Sequence, residues 1–506
     1  MSRPTNSLRS LPPRGAVSGF GRPGATDLRS RAAAVLAALL LTACMLGPDY
    51  QRPPVDTPAG YQYAPKDAAA TADLDWWKQF GDPVLDQLIA EALANNRNVM
   101  IAAANVEQAA GIVTTTRAPM FPQVGYQGAA TRIRFSQQGT SALPSELTNP
   151  TNAYQLLGGA SWEIDLWGRI RRQTESARAN LMATEEARRG VILSLVASVA
   201  AEYITLRALD EQLTMAVRTQ ASYGESLRLM ELQFKYGRVS EMNVAQAQSR
   251  YDTATAEIPR IRREIAQRQD ALSVLLGRNP GPIPRGKTIL ELVPPQVPAG
   301  VPSQLLERRP DLLQAEQQLV AANAQIGAAK ALYFPTISLT GALGTASTQL
   351  GNLFSGPAQT WNFAGSIVGP IFTAGSISGQ VAQAEAAQKA ALLSYRQAIQ
   401  NAFADVDTAL AARAELGDQV LAQDRLVKSL ERYRRLARLQ YDGGRAPYST
   451  VLQAEEQLFP AELNYAVARG QLLTSAVNIY KAMGGGWVDK ADAMTGASAS
   501  GAAAAP

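Results

Sequence analysis

The run Gly281-Pro282-Ile283-Pro284-Arg285-Gly286-Lys287-Thr288 satisfies the phosphate-cradling pattern G-x-x-x-x-G-K-[ST]. That chemistry needs a preceding strand, a loop of free backbone N–H groups and a following helix. Here a helical stretch comes before the run, and two prolines inside it remove donors. Pro294, Pro295, Pro298 and Pro302 follow. The run therefore reads as a linker rather than a nucleotide site. Gly484-Gly485-Gly486 follows a helical pattern instead of opening one and reads as a helix C-terminus. Asp165 beside Trp167, and Asp405 with Asp407, have no convincing nucleophile or metal partner and read as solvated helix or strand ends. Trp76-Trp77 and Trp162 with Trp167 could stack sugars. Core or membrane-interface positions suit them better, and Trp162 and Trp167, beside a strand, fit an aromatic belt. Glu185-Glu186 next to Arg188-Arg189 has the spacing of an exposed, ion-paired helix face. No histidine occurs among the 506 residues, which excludes imidazole catalysis and histidine metal sites. One cysteine, Cys44, excludes an intrachain disulfide and a cysteine zinc cluster. No enzyme, no metal and no cofactor is expected.

The formal charge of +5 suggests nucleic acid, but residues 1–43 hold six arginines and one acid, and without them the chain has 42 basic and 42 acidic residues. The basic excess belongs to a leader, so no nucleic-acid partner is expected. Ala32 to Ala43 is an apolar run of 12 residues, too short to span a bilayer and right for a signal-peptide core. It runs into Leu41-Thr42-Ala43-Cys44, which resembles the bacterial lipobox. That resemblance implies that 1–43 is removed, that Cys44 is diacylated as the new N-terminus, and, with Met45 next, that sorting is to the outer membrane.

The elements that position these residues come in duplicate. Residues 95–128 lie over 307–341 at an offset of 213, with Phe121-Pro122 on Phe334-Pro335 and Gly128 on Gly341. Further on the offset is 207: Gly168 falls on Gly375, the Leu232–Arg238 run on Leu439–Arg445, and Gly277 on Gly484. The change between Gly128 and Gly168 is expected in a surface loop.

No proline occurs between Gly168 and Gly237, or between Gly375 and Pro447. From Val381 through Ala384, Ala391, Tyr395, Ala398, Ala402, Val406, Ala409 and Leu416 to Val420, small or apolar residues recur in steps of four and three, with Gln388 and Arg413 as the two misses, close to a coiled-coil seam. Long helices are predicted over 169–236 and 376–441, each roughly 100 Å at 1.5 Å per residue. A helix of that length needs a long bundle or tube. Each ends at a glycine turn, Gly237-Arg238 or Gly443-Gly444-Arg445. Return helices are predicted over 240–276 and 448–483, kinked or broken at Pro259 and Pro460. Upstream of each long helix, β-branched and aromatic residues predict hairpins over about 122–166 and 336–372, with strands long enough to cross a membrane tilted. Four strands cannot close a barrel, and an open edge cannot sit in lipid. Several chains must then share one barrel, of 8 or 12 strands.

These residues are recognisable together. LTAC, GPDYQRPPVDTP after the cysteine, WWKQFGDPVLDQLIAEAL (76–93), DLWGRIRR (165–172), LLERRPDLLQAE (305–316), LQYDGGR (439–445) and the Ile479–Trp487 ending resemble the TolC-like outer-membrane efflux proteins, in their NodT-type lipoprotein branch. The likeness spans Cys44 to Trp487. It implies a mainly α chain with a membrane β-barrel part. Three copies would share a 12-stranded barrel in the outer membrane and a 12-helix tunnel through the periplasm. It also implies a periplasmic adaptor and an inner-membrane pump of the RND type, for which this chain is a passive duct. By that likeness the second-repeat turn carries the narrowing side chains, with Tyr441 and Arg445 in the turn and Ser449, Gln453 and Glu456 after it. Spacing i, i+4, i+7 puts the last three on one helix face. The family often has a large apolar residue, an aspartate and an arginine there. A ring of three Glu456 carboxylates is expected instead, unless Glu456 only pairs with a neighbouring helix.

The organisation expected is a signal peptide over 1–43, a lipidated extended segment over 44–75, repeat one over 76–280, a proline-rich linker over 281–302, repeat two over 303–487 and a disordered tail over 488–506. The competing reading is a lipid-anchored periplasmic coiled-coil protein with a structural role, which the long helices suit and the hairpins do not.

Overall fold

The computed structural model describes residues 45–58, 60–64, 75–136, 149–297 and 302–495. The leader, Cys44 and the end of the tail (496–506) lie outside the described residues. Each repeat consists of a helical lead-in, a hairpin, a 67-residue helix and a return helix. In repeat one these are α1 (Pro83–Asn95) and α2 (Arg97–Arg117), β1 (Gln123–Ile133) and β2 (Thr151–Ile164), α3 (Arg169–Lys235) and α4 (Glu241–Leu275). In repeat two they are α5 (Pro302–Arg308) and α6 (Pro310–Ala331), β3 (Thr336–Ser347) and β4 (Gln359–Val368), α7 (Ser376–Asp442) and α8 (Tyr448–Met483). A short α9 (Trp487–Ala493) closes the order.

The long helices form for the reasons their sequences give. Gly168 and Gly375, both at positive φ, turn the chain out of the strand into the helix. Along α7 the stripe from Val381 to Val420 is buried or half-buried at every position. Four helices lie side by side in the order α4, α3, α8, α7, with α2 and α6 continuing the rows of α4 and α8 toward the sheet. Both return helices run through their prolines without a break. Central α3 is apolar enough to pass for a membrane span by length and composition, but most of that window is buried. It is the core helix of an outer belt built from Trp76, Trp77, Phe80, Leu85, Ile89, Tyr203, Ile289, Leu292 and Trp487.

The four strands form one antiparallel sheet in the order β1-β2-β3-β4. One boundary differs from expectation: the second hairpin ends with β4 at Val368 rather than at Phe372. Pro370 has no N–H to give the ladder, so pairing stops before it. The disordered tail expected from 488 is also corrected. Trp487, Val488 and Ala491 of α9 are buried, and Trp487 stands edge-on to both Trp76 and Trp77. Arg188 of α3 is paired with Asp492. The small-residue composition of the last residues hid this short apolar turn.

Candidate functional site

The sheet is the first functional part. Its strands place Tyr126, Leu343, Trp361, Phe363 and Ile367 in the open. Among the described residues nothing pairs with the outer edges of β1 and β4. An apolar sheet with two open edges is stable in lipid only when other chains complete it. At its base, where the strands meet the helices, Trp167 stacks on Phe334 at 4.6 Å and donates its indole N–H to the Pro335 carbonyl at 2.8 Å. Trp162 donates to the Met120 carbonyl at 3.0 Å. Asp165 is an N-terminal cap for α3, its carboxylate accepting from the N–H groups of Ile170 and Arg171 at 3.1 and 2.9 Å.

A buried cation fixes the N-terminal segment just below this base. Arg172 is 1% exposed. It donates to the carbonyls of Leu46 and Gly47 at 3.0 and 3.2 Å and pairs with Asp49 at 2.7 Å and Glu175 at 2.8 Å. Asn323 donates to the Pro48 carbonyl at 2.9 Å. Gly47 and Gly327 touch backbone to backbone, and a Cβ on either would clash. The strap continues to Tyr50 and Arg52, both on Glu316. Burial and the neighbouring Glu316 carboxylate push the Tyr50 hydroxyl well above the usual phenol range. The strap thus runs from repeat one onto repeat two, and its first residue, Met45, is bonded to Cys44. Sequence reasoning missed Arg172, although it ends the DLWGRIRR run.

The helix tips are the second functional part. Gly237 and Gly444 take positive φ, where a Cβ is strained. Arg238 N–H reaches back to the Gln233 carbonyl at 2.9 Å, and Arg445 N–H to that of Gln440 at 2.8 Å. Both are C-terminal helix closures of the same kind. The tips touch: Gln233 donates to the Tyr441 hydroxyl at 3.0 Å. Tyr441 is edge-on to Tyr448, with the Arg438 guanidinium over its ring. Ser449, Gln453 and Glu456 are all exposed on one face of α8, while Val451, Leu452, Ala454 and Leu458 are buried. Glu456 is paired with Arg250 of α4 at 3.0 Å. Beside it Glu455 is buried with one carboxylate oxygen unpartnered among the described residues. Burial pushes its carboxyl up, and Arg434, Arg250 and Arg438 offset this only in part. Neither Arg250 nor Glu455 was singled out from sequence. Glu455 could have been, since it falls among the apolar positions of α8.

The phosphate-like run has an occupant from within the chain. Asp82, fully buried, accepts from the Lys287 N–H at 3.0 Å, the Tyr203 hydroxyl at 2.7 Å and the Val84 N–H at 3.0 Å. A Cβ on Gly286 would lie 2.0 Å from the Asp82 carboxylate. The motif's second glycine is there for that close approach. Asp405 pairs with Arg309 at 3.0 Å, and Asp407 accepts from the Gln62 N–H at 3.0 Å. Among the described residues no cluster of three or more potential ligands could hold a metal ion.

A four-stranded sheet with two open edges, standing on two long helical hairpins, is the build of channels made of a membrane barrel and a periplasmic tube. The family model described as outer membrane efflux protein matches residues 88–278 and 301–485. The chain belongs to that family and is an outer-membrane efflux channel with a periplasmic tunnel. It is 37% identical over 461 residues to the cation efflux system protein CusC of Escherichia coli O6:H1, covering 89% of this chain and 97% of that protein. It is 38% identical over 464 residues to the probable efflux pump outer membrane protein TtgC of Pseudomonas putida, covering 90% and 95%. Among solved structures it resembles CusC with a TM-score of 0.78 at 35% identity, over 87% of this chain and all of that one. It also resembles the open state of the MtrE outer membrane channel of Neisseria gonorrhoeae, with a TM-score of 0.79 at 31% identity over 88% and 99%.

Proposed function

We propose that three copies form the passive exit duct of a tripartite efflux assembly, taking small molecules from an inner-membrane pump through a periplasmic adaptor. The observation that carries this reading is the four-stranded sheet with both edges open, set on hairpins of 67-residue helices. Three such sheets give twelve strands, enough for a barrel with an aqueous lumen. The energy comes from elsewhere, since the chain's one phosphate-like run is filled by Asp82. Relatives are described as serving cation, antibiotic and toluene efflux. That range fits a duct whose cargo is chosen by its pump.

The lipid goes on Cys44. Met45 lies against Gly168 at the junction of sheet and tube. A lipid one residue away is then level with the membrane face. Ser449, Gln453 and Glu456 line the narrow end, where the Arg250 pair neutralises part of the Glu456 ring. Native mass spectrometry of detergent-purified protein is expected to give three copies, and planar bilayers a steady conductance. A stable monomer with full channel conductance would overturn the proposal.

A further inference from the structure

A small apolar cavity lies beside the first residue of the N-terminal strap. Its volume is about 390 Å³, inside the ~300–1,000 Å³ range of small-ligand sites. Met45, Met120, Ala179, Met182 and Val320 line it, so three of the chain's ten methionines meet in one place. Met45 and Met182 are 43% and 51% exposed. The charged side chains of the wall are engaged elsewhere or reach water. Arg171 is held by the Asp165 carboxylate and carbonyl, and Glu175 is paired with Arg172. Arg178 is exposed and can lay its aliphatic stem on the wall with the guanidinium in solvent. Unbranched methionine side chains adapt to the shape of a flexible apolar guest.

The cavity is fixed in position relative to Cys44. The Leu46 N–H donates to the Trp167 carbonyl at 3.3 Å, and Arg172 holds the carbonyls of Leu46 and Gly47. A Cβ on Gly168 would stand 3.1 Å from the Met45 Cα. The strap backbone is therefore pressed onto the chain where the sheet gives way to α3. The Cα of Cys44 is one peptide unit, about 3.8 Å, from that of Met45. From there the cavity follows α3 from Arg171 to Met182, a rise of about 16 Å at 1.5 Å per residue. One leaflet of a roughly 30 Å hydrocarbon core gives an acyl chain about 15 Å of depth. The two lengths match.

We propose that this cavity seats one acyl chain of the Cys44 lipid against α3, outside the bilayer, while the remaining chains enter the outer membrane. The proposal rests on the reading of Cys44 as the attachment site. The tether selects the occupant. A chain attached one residue from the cavity is always at hand, whereas a free lipid must be drawn out of the bilayer. Both surroundings keep the methylene groups from water, and the seat also covers Met45 and Met182. The lipid then joins the strap to α3 at the point where Arg172 already joins them. It is a packed part of the protein as well as an anchor.

The test uses the full-length protein in outer-membrane vesicles from cells fed a palmitate analogue that carries a photoreactive diazirine. Irradiation is expected to join the N-terminal lipopeptide to a peptide containing Met182. Met182→Lys should lose that cross-link and keep the label on Cys44. Label on the wild type with cross-links confined to strand residues and phospholipid would overturn the seat and leave Cys44 acylated. No label on the wild type would overturn the attachment site and the seat with it. The same α3 cross-link in Cys44→Ser would make a bilayer lipid the occupant and overturn the proposal. Peroxide gives a second readout, because it converts exposed methionine to the sulfoxide. Met45 and Met182 should oxidise several times more slowly in the wild type than in Cys44→Ser. Met100 and Met242, exposed and outside the cavity, should oxidise alike in both. Equal rates at Met182 in the two proteins would overturn the seat.

Discussion

Replacing Asp82 with alanine tests how the inter-repeat linker is held. The carboxylate is fully buried and accepts three hydrogen bonds, from Tyr203, Lys287 and Val84. In the alanine variant the Tyr203 O–H is left buried without that acceptor, at about 1–3 kcal/mol, and the part-buried Lys287 N–H loses its partner at a smaller cost. Loss of the α1 cap adds about 1 kcal/mol. Water entering the gap recovers part of this. A net local cost of about 3 kcal/mol corresponds to roughly a hundredfold rise in opening of the linker. Hydrogen exchange followed by mass spectrometry should show it, as faster exchange in a peptide spanning 284–292, with peptides of α7 unchanged. Asp82→Asn should fall between, because its amide turns one donor toward another donor. Unchanged protection in the alanine variant would refute the reasoning. Protection of 281–288 by added ATP in the wild type would revive the phosphate-site reading.

Radiolabelled palmitate is expected to enter the wild type and not Cys44→Ser, and label in the serine variant would exclude Cys44 as the attachment site. Burial raises the Glu455 carboxyl above its ordinary range of about 4.3. Its stabilising contribution is therefore full below that value and is lost as pH rises through the folded-state value. Glu455→Gln should flatten the fall in trimer melting temperature on going from acid to neutral pH, and an unaltered pH profile would count against it. Glu456→Gln should weaken cation preference in single-channel recordings. The effect should be larger in an Arg250→Ala background, where the carboxylate is freed from its partner. Unchanged selectivity in both backgrounds, with the trimer intact, would dispose of the ring.

Periodicity and punctuation made the architecture legible before any coordinates. The seam from Val381 to Val420, the two proline-free stretches and the glycines at 168, 237, 375 and 444 express local backbone physics, which sequence carries directly. So do the duplicated hairpins, whose open edges already demanded other copies. The linker was recognised because two prolines strip donors from its phosphate-like run, but not what fills it. Asp82 and Lys287 are 205 residues apart, and only the packing of α1 against the belt brings them together. The same holds for Arg172. In sequence it is one arginine of three in GRIRR, and its burial depends on where the strap crosses α3 and α6. Arg250 and Glu456 lie on different hairpins and meet only because α4 and α8 flank α3. The short α9 failed on composition, because a single apolar turn is visible only against the tryptophans it covers. Local conformation and repeat symmetry were set by the order of residues; which charges are buried, paired or left free was decided by contacts between segments far apart in the chain.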